Sequence, residues 1–245
     1  MKNFLTEWRP AIFNTFIYTL FLISLFYLSI GQMILLFVLG MLASMLGNAV
    51  LLHRFYTHKQ FGLSKPIECL LLPIAILLGI GSPLMYATMH RQHHRVCDSK
   101  EDPHSPMQLG KLKVFTGLWE FMPVSYFRNL NAPLARDLFV DPVQKFIHVH
   151  YYRIWLLAFV IVAIINLPVA VAVFGWIPVF QKVFENSIVN GICHPGPAIK
   201  NWPAFGILTG GESMQRLHHE QPNLSKYSNN WWVDPASPII EVIKK

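Results

Sequence analysis

The stretch MILLFVLGMLASMLGNAVLLHRFYTH, residues 33–58, carries no charge before Arg54 and ends on two histidines five positions apart, His53 and His58. About 20 consecutive uncharged, mostly apolar residues match the length a helix needs to cross the hydrocarbon core of a bilayer, and this run delivers its histidines just past that length. Residues 11–30 form a second uncharged run. Ser29, Ile30, Gly31 and Gln32 make a short turn between the two, so the chain is expected to go out and return as a hairpin. Lys2, Arg9, Arg54 and Lys59 flank the open ends of that hairpin while the turn carries no charge. By the positive-inside rule the open ends, and the histidines with them, face the cytoplasm.

Composition agrees with an integral membrane protein. Hydrophobic residues make up 53% of the 245 and charged residues 13%, well under the ~25% charge of a soluble domain. The net charge of +7 is scattered among apolar runs, which argues against a nucleic-acid partner and suits anionic membrane lipid or an acidic substrate headgroup. Cys69, Cys97 and Cys193 show no CxxC spacing and read as reduced thiols, not as a disulfide framework. The first apolar run is too long for the core of a signal peptide and lacks a small-residue cleavage site.

Further along, residues 69–89 are apolar but interrupted by Pro73, Gly79, Gly81 and Pro83. A membrane crossing here would put His53 and His90 on opposite faces, so the segment is expected to be a re-entrant or surface-lying helix pair. Residues 91–153 are mixed and charged and read as cytoplasmic. Residues 154–184, with Pro168, Gly175 and Pro178, have room for two short or tilted helices in another hairpin. Beyond Asn186 the chain turns polar and reads as a cytoplasmic C-terminal segment. There is no internal repeat and no second domain, so residues 1–245 are expected to form one unit.

Eight of the eleven histidines fall near the cytoplasmic ends of these apolar segments. His90, His93 and His94 are three and four apart, so one helical face can aim all three imidazoles at one centre while Arg91 and Gln92 turn away. His218 and His219 repeat that spacing after Gln215, and Asn190 lies one turn before His194. On a continuous α-helix His53 and His58 would diverge, so the helix is expected to end between them. Neutral imidazole suits iron, copper and zinc alike. His104, in the turn Asp102-Pro103-His104-Ser105-Pro106, reads as a supporting residue. His148 and His150, beside Tyr151 and Tyr152, read as interfacial anchors.

The elements HRFYTH at 53–58, HRQHH at 90–94 and QRLHH at 215–219 resemble, in order and placement, the three histidine boxes of the membrane fatty-acid desaturases. HRQHHRVCDSKEDPHSP at 90–106 is similar to the acyl-CoA desaturase version of the second box. NGICH at 190–194 is similar to that family's additional histidine with its preceding asparagine, and Gly210-Gly211-Glu212-Ser213 and Trp231-Trp232-Val233-Asp234 extend the likeness, which runs from about residue 11 to 240. The resemblance implies an all-α integral membrane fold, with about four transmembrane helices in two hairpins and a cytoplasmic helical cap holding a di-iron site. It implies two iron ions (Fe) bound by His53, His58, His90, His93, His94, His194, His218 and His219, with Asn190 acting through a water. Gln215 stands where the acyl-CoA desaturases have another histidine. Its carbonyl oxygen is a possible ligand, as in the front-end branch of the family, or it marks an altered site.

The implied activity is O2-dependent introduction of a carbon–carbon double bond into a fatty-acyl chain, carried as acyl-CoA, acyl-ACP (acyl-carrier protein) or lipid. Attack on an unactivated methylene needs a redox metal, because no side chain is a strong enough oxidant. No haem, flavin or iron–sulfur motif is present, so electrons are expected from a donor such as a ferredoxin or a small cytochrome. Arg54, Lys59 and Arg91, beside the boxes, are expected to meet the substrate headgroup. Two other classes stay open: a related histidine-box hydroxylase or ketolase, and a non-catalytic desaturase-like membrane protein.

Overall fold

The computed structural model describes residues 4–245, and among these the regular structure is helical, with only the isolated bridges Leu63–Lys244 and Asn201–Met214. After a short turn at Phe4–Glu7 come α1 (Arg9–Ser24), α2 (Ile30–Ala43), which continues without a break as the π-helical segment Ser44–Thr57, then α3 (Lys65–Leu77) and α4 (Pro83–Val96). A stretch of short helical turns leads to α5 (Pro142–Ile165) and α6 (Leu167–Phe184), the latter extended by a second π-helical segment, Glu185–Cys193; α7 (Gln215–Glu220) and α8 (Ala236–Ile243) close the chain. Among the described residues three helices are long and apolar enough to cross a membrane: Ile30–Thr57, Pro142–Ile165 and Leu167–Cys193. On α5 the large apolar side chains Leu156, Leu157, Val160, Ile161, Ile164 and Ile165 are all exposed. That stripe has no protein partner, as expected of a helix solvated by lipid.

The first helix is shorter than the sequence suggested. It ends at Ser24, and its 16 residues span about 24 Å, less than the ~30 Å hydrocarbon core. The expected turn at Ser29–Gln32 is instead the start of α2: Ser29 Oγ accepts from Gln32 N–H while the Gln32 side chain accepts from Ser29 N–H, a capping box that satisfies the helix's open donors. The apolar region expected at 154–184 begins earlier and ends later. Asp141 caps α5 by accepting from Val143 N–H at 2.8 Å, and the first half of that helix is amphipathic, burying Gln144, Ile147, Tyr151 and Trp155, so the apolar count alone misses it. Asn166 caps α6 through Val169 N–H, and that helix runs to Cys193, carrying Asn190 on its last turns instead of in a polar tail.

The expected helix pair at 69–89 is present as α3 and α4, joined through Gly79 and Gly81 at φ +71° and +104°. Gly79 needs its glycine twice over, because an added Cβ would also lie 2.9 Å from Ile17. α1 lies against α6 so closely that a Cβ on Gly175 would meet Phe21 N at 2.5 Å, the close backbone approach that small residues permit between membrane helices. The Tyr27 hydroxyl donates to the Pro168 carbonyl at 2.6 Å, which brings the α1–α2 turn and the α5–α6 turn to one end of the molecule. One apolar cluster, with Ile17, Trp155, Phe174 and Val179, fills the space between α1, α5 and α6. Another, with Val50, Leu51, Leu52, Ala75, Ala87 and Ile240, fixes α3, α4 and α8 around the π-helical end of α2. The histidines sit at that second end.

Candidate metal centre

The helix does not end between His53 and His58, as α-helical geometry had suggested. It widens: His58 N–H donates to the His53 carbonyl at 3.0 Å, five residues back. In π winding, residues five apart come close to one face, and the two rings stand 4.8 Å apart centre to centre. α4 is capped by Ser82 and supplies His90, His93 and His94 from one face. Its partner residues Arg91 and Gln92 turn elsewhere, as expected: Gln92 bonds the Glu101 carbonyl and Asn131 N–H. The second π-helical segment presents His194 at its end, and α7 supplies His218 and His219.

The imidazoles gather into two adjoining groups. In the first, one ring nitrogen from each of His53, His58, His90 and His218 lies within 4.8 Å of the others, and His94 Nε2 joins them at 3.0 Å from His90 Nε2 and 2.8 Å from His218 Nε2. In the second, His93, His194 and His219 cluster with Cys97 within the same 4.8 Å, with His93 Nε2 and His219 Nε2 3.3 Å apart.

Outer partners aim the rings. The Glu212 carboxylate is 2.5 Å from His53 Nδ1, the Asp102 carboxylate accepts from His93 Nδ1 at 2.8 Å, and the Tyr227 hydroxyl bonds His218 Nδ1 at 3.1 Å. A carboxylate only accepts, so Nδ1 of His93 carries the proton and its Nε2 offers a lone pair to the centre; the Glu212 contact to His53 Nδ1 is close but lacks hydrogen-bond geometry. His53 Nε2 then faces His90 Nε2 at 3.0 Å and His218 Nε2 at 3.1 Å. His58 Nε2 and His194 Nδ1 are buried with no protein partner. Burial, with the neighbouring rings adding to it, pushes His58, His94 and His219 down to about 2, so they are neutral and free to donate. Convergent lone pairs without enough protons are costly as hydrogen bonds and well suited to cations. The residues present fit a two-metal site.

A cavity of about 150 Å³ abuts these groups; its lining includes the polar side chains of His53, His90, His93, Asn190, Glu212 and Gln215 and the apolar ones of Phe13, Ile80, Met85 and Met89, with Tyr151. Gln215 is buried, and its amide donates to the Glu212 carbonyl at 2.8 Å. One wall is unexpectedly charged. Lys182, the one charged residue of the apolar run 154–184, pairs with Glu120, and Asn186 bonds both that carboxylate and Trp119.

Two of the three basic residues expected at a headgroup serve the interior instead. Arg54 is wholly buried, paired with Glu212 and Asp234 at 3.3 and 2.9 Å. Arg91 spends its donors on Asp137 and on the Thr57, Leu134 and Tyr56 carbonyls. Lys59 is exposed, at 3.0 Å from Asp137. His104 stacks on His93 at 4.4 Å between centres, and His148 bonds Ser82 at 2.8 Å. The sequence reading missed Glu212, Tyr227 and Cys97 as parts of the centre, although Glu212 and Cys97 lie inside motifs it quoted; only the fold shows what they reach.

Comparison with known proteins bears on this geometry. The chain is 27% identical over 213 residues to the palmitoyl-monogalactosyldiacylglycerol delta-7 desaturase of Arabidopsis thaliana chloroplasts, covering 80% of this chain and 55% of that protein. It is 21% identical over 235 residues to the acyl-CoA C20 Delta5-desaturase of Anemone leveillei, covering 85% and 69%. It is 26% identical over 227 residues to the hex-5-enoyl-[acyl-carrier protein] acetylenase of Moorena producens, covering 79% and 68%. The chain thus spans little more than half the length of the first of these relatives. The family model described as fatty acid desaturase matches residues 28–228, a span that contains every histidine of both groups and the carboxylates that aim them, and the chain therefore belongs to the fatty acid desaturase family.

Proposed function

We propose that the protein is a membrane-bound di-iron fatty-acyl desaturase, with residues 1–245 acting as one unit. The carrying observation is the pair of imidazole groups that converge beside a cavity of mixed polar and apolar lining. His53, His58, His90, His94 and His218 would hold one iron; His93, His194 and His219 would hold the other, with Asn190 reaching it through a water. Iron at these positions supplies the oxygen-dependent redox chemistry that no side chain can provide. The protein's own part is orientation. Asp102 fixes the tautomer of His93, while Glu212 and Tyr227 hold the rings of His53 and His218 in place through contacts to Nδ1, as outer partners do at metal sites. Phe13, Ile80, Met85 and Met89 surround an acyl chain with carbon and keep bulk water from the reacting methylenes.

The relatives' names include an acyl-lipid, an acyl-CoA and an acyl-carrier-protein enzyme, so the substrate class is a fatty-acyl chain on one of these carriers. Electrons come from a separate donor such as a ferredoxin or small cytochrome. The experiment is iron analysis of purified protein together with product analysis in cells supplied with iron. About two irons per chain and unsaturated products support the reading; oxygenated products would replace it with hydroxylase or ketolase chemistry, and a protein without iron would be a non-catalytic relative.

In this reading α1, short of the hydrocarbon thickness, joins the three long helices as a fourth span by local thinning of the bilayer, α1–α2 and α5–α6 form the two hairpins, and the histidine end is cytoplasmic, since all boxes meet on the side of Arg54 and Lys59. A cysteine placed at the exposed Lys100 is expected to react with a membrane-impermeant thiol reagent only from the cytoplasmic side; labelling from outside would invert the topology.

Gln215 is read as a neutral donor beside the second iron. Gln215→Ala is expected to lower iron affinity or rate by about tenfold, and Gln215→His to keep or raise iron occupancy with desaturation still measurable. An alanine variant with unchanged iron and product would remove Gln215 from the centre.

A further inference from the structure

The two imidazole groups are unequal. The first holds five rings and the second only three, and a metal ion in a protein site generally takes at least four donors. Gln215 has its amide nitrogen committed to the Glu212 carbonyl, which leaves only an uncharged oxygen to offer. The remaining strong donor is sulfur: Cys97 Sγ lies within the 4.8 Å set formed with His93, His194 and His219, and 3.4 Å from His194 Nε2.

The backbone holds it there. α4 stops at Val96, and Asp98 takes φ +60°, a left-handed conformation that costs free energy for a residue with a Cβ. Asp102 Oδ2 accepts from both His93 Nδ1 and Asp98 N–H, each at 2.8 Å, so one carboxylate ties the ring of His93 to the turn that carries Cys97. His194 meets Cys97 Sγ through Nε2, and its Nδ1 is buried without a protein partner.

We propose that Cys97 is a thiolate ligand of the second metal position, adding one sulfur to the three imidazoles of His93, His194 and His219 and the water held by Asn190. The inference rests on the two-metal reading above and assigns one further ligand within it. On metal entry the S–H bond breaks, the proton leaves to solvent and a metal–sulfur bond forms, with no change of oxidation state. A cation at this position would deprotonate the coordinated thiol outright. A soft sulfur on one position and only nitrogen on the other makes the two metals chemically distinct.

The test loads the metal-free full chain with Co(II) and records the near-ultraviolet thiolate-to-cobalt charge-transfer band beside the cobalt count. Two cobalts per chain with the band are expected, and Cys97→Ser should abolish the band and lower the count toward one, while Cys69→Ser and Cys193→Ser keep both. In the unsubstituted protein, cobalt should protect Cys97, read by mass spectrometry, from iodoacetamide, a readout that does not depend on any variant folding. Two bound cobalts with no band, a band that survives Cys97→Ser, or Cys97 alkylated equally with and without cobalt would each overturn the sulfur ligand and leave the two-metal reading standing. A chain that binds no cobalt at all would overturn both.

Discussion

Replacing His93 with alanine is expected to reduce iron from about two per chain toward one and to lower product formation by more than about 100-fold, beyond the ~10–100-fold typical of losing an outer partner. His93 is 3% exposed, donates a hydrogen bond from Nδ1 to Asp102 and faces His219 Nε2 at 3.3 Å. It is the only second-box histidine in the second group. Its loss removes a donor and leaves the Asp102 carboxylate with its backbone partners alone. Membrane insertion should be unaffected, because α4 is not among the helices long and apolar enough to cross a membrane. Iron analysis and product yield on the purified variant check this, and full iron with full turnover in His93→Ala would dismantle the second group as a metal position.

Arg54→Met is expected to be among the most destabilising single changes in the chain, by about 3–5 kcal/mol, the cost of breaking a buried pair from one side. Arg54 is 0% exposed and touches Glu212, Asp234 and the Ser225 and Gly210 carbonyls, with its guanidinium 4.1 Å from the centre of the Tyr227 ring. Methionine fills part of the volume but leaves two carboxylates inside without their cation. The damage should extend to metal binding, because Glu212 aims His53 and Tyr227 aims His218. Lys59→Met is the control: its ammonium is exposed and its pair with Asp137 lies at the surface, where such pairs contribute about 0–1 kcal/mol. Thermal unfolding in detergent, followed with iron content, distinguishes the two. A stable, iron-loaded Arg54→Met protein would mean that Arg54 neither supports the fold nor the centre.

Much of the molecule is legible in the residues alone, because its strongest signals are local. An uncharged run of membrane length and imidazoles at helical spacing are both one-dimensional patterns, and they sufficed to read a helical membrane protein with a histidine centre. The helix pair at 69–89 was legible for a different reason: a crossing there would have separated His53 from His90, so the requirement of one site constrained the path. Helix limits were less so. The start of α5 at Pro142 was hidden because that half of the helix is amphipathic, and the end of α1 at Ser24 because apolar composition continues past the point where regular helical bonding gives way to turns.

Tertiary structure alone decided three things. Winding was one: sequence spacing was converted to angles by the α-helical period, whereas the chain changes to i→i+5 bonding at both π-helical segments and so keeps His53 and His58 on one centre. The roles of the basic residues were another. Arg54 and Lys59 look alike in the sequence, and only the approach of Glu212 and Asp234, 158 and 180 positions away, turns the first into an interior cation. The last is the division of the imidazoles into five and three with Cys97 beside the smaller group. The sequence by itself determined which atoms are available to a metal, because ligand chemistry belongs to residue type. Which of those atoms share a centre depends on distances across the fold, between residues that no local spacing relates.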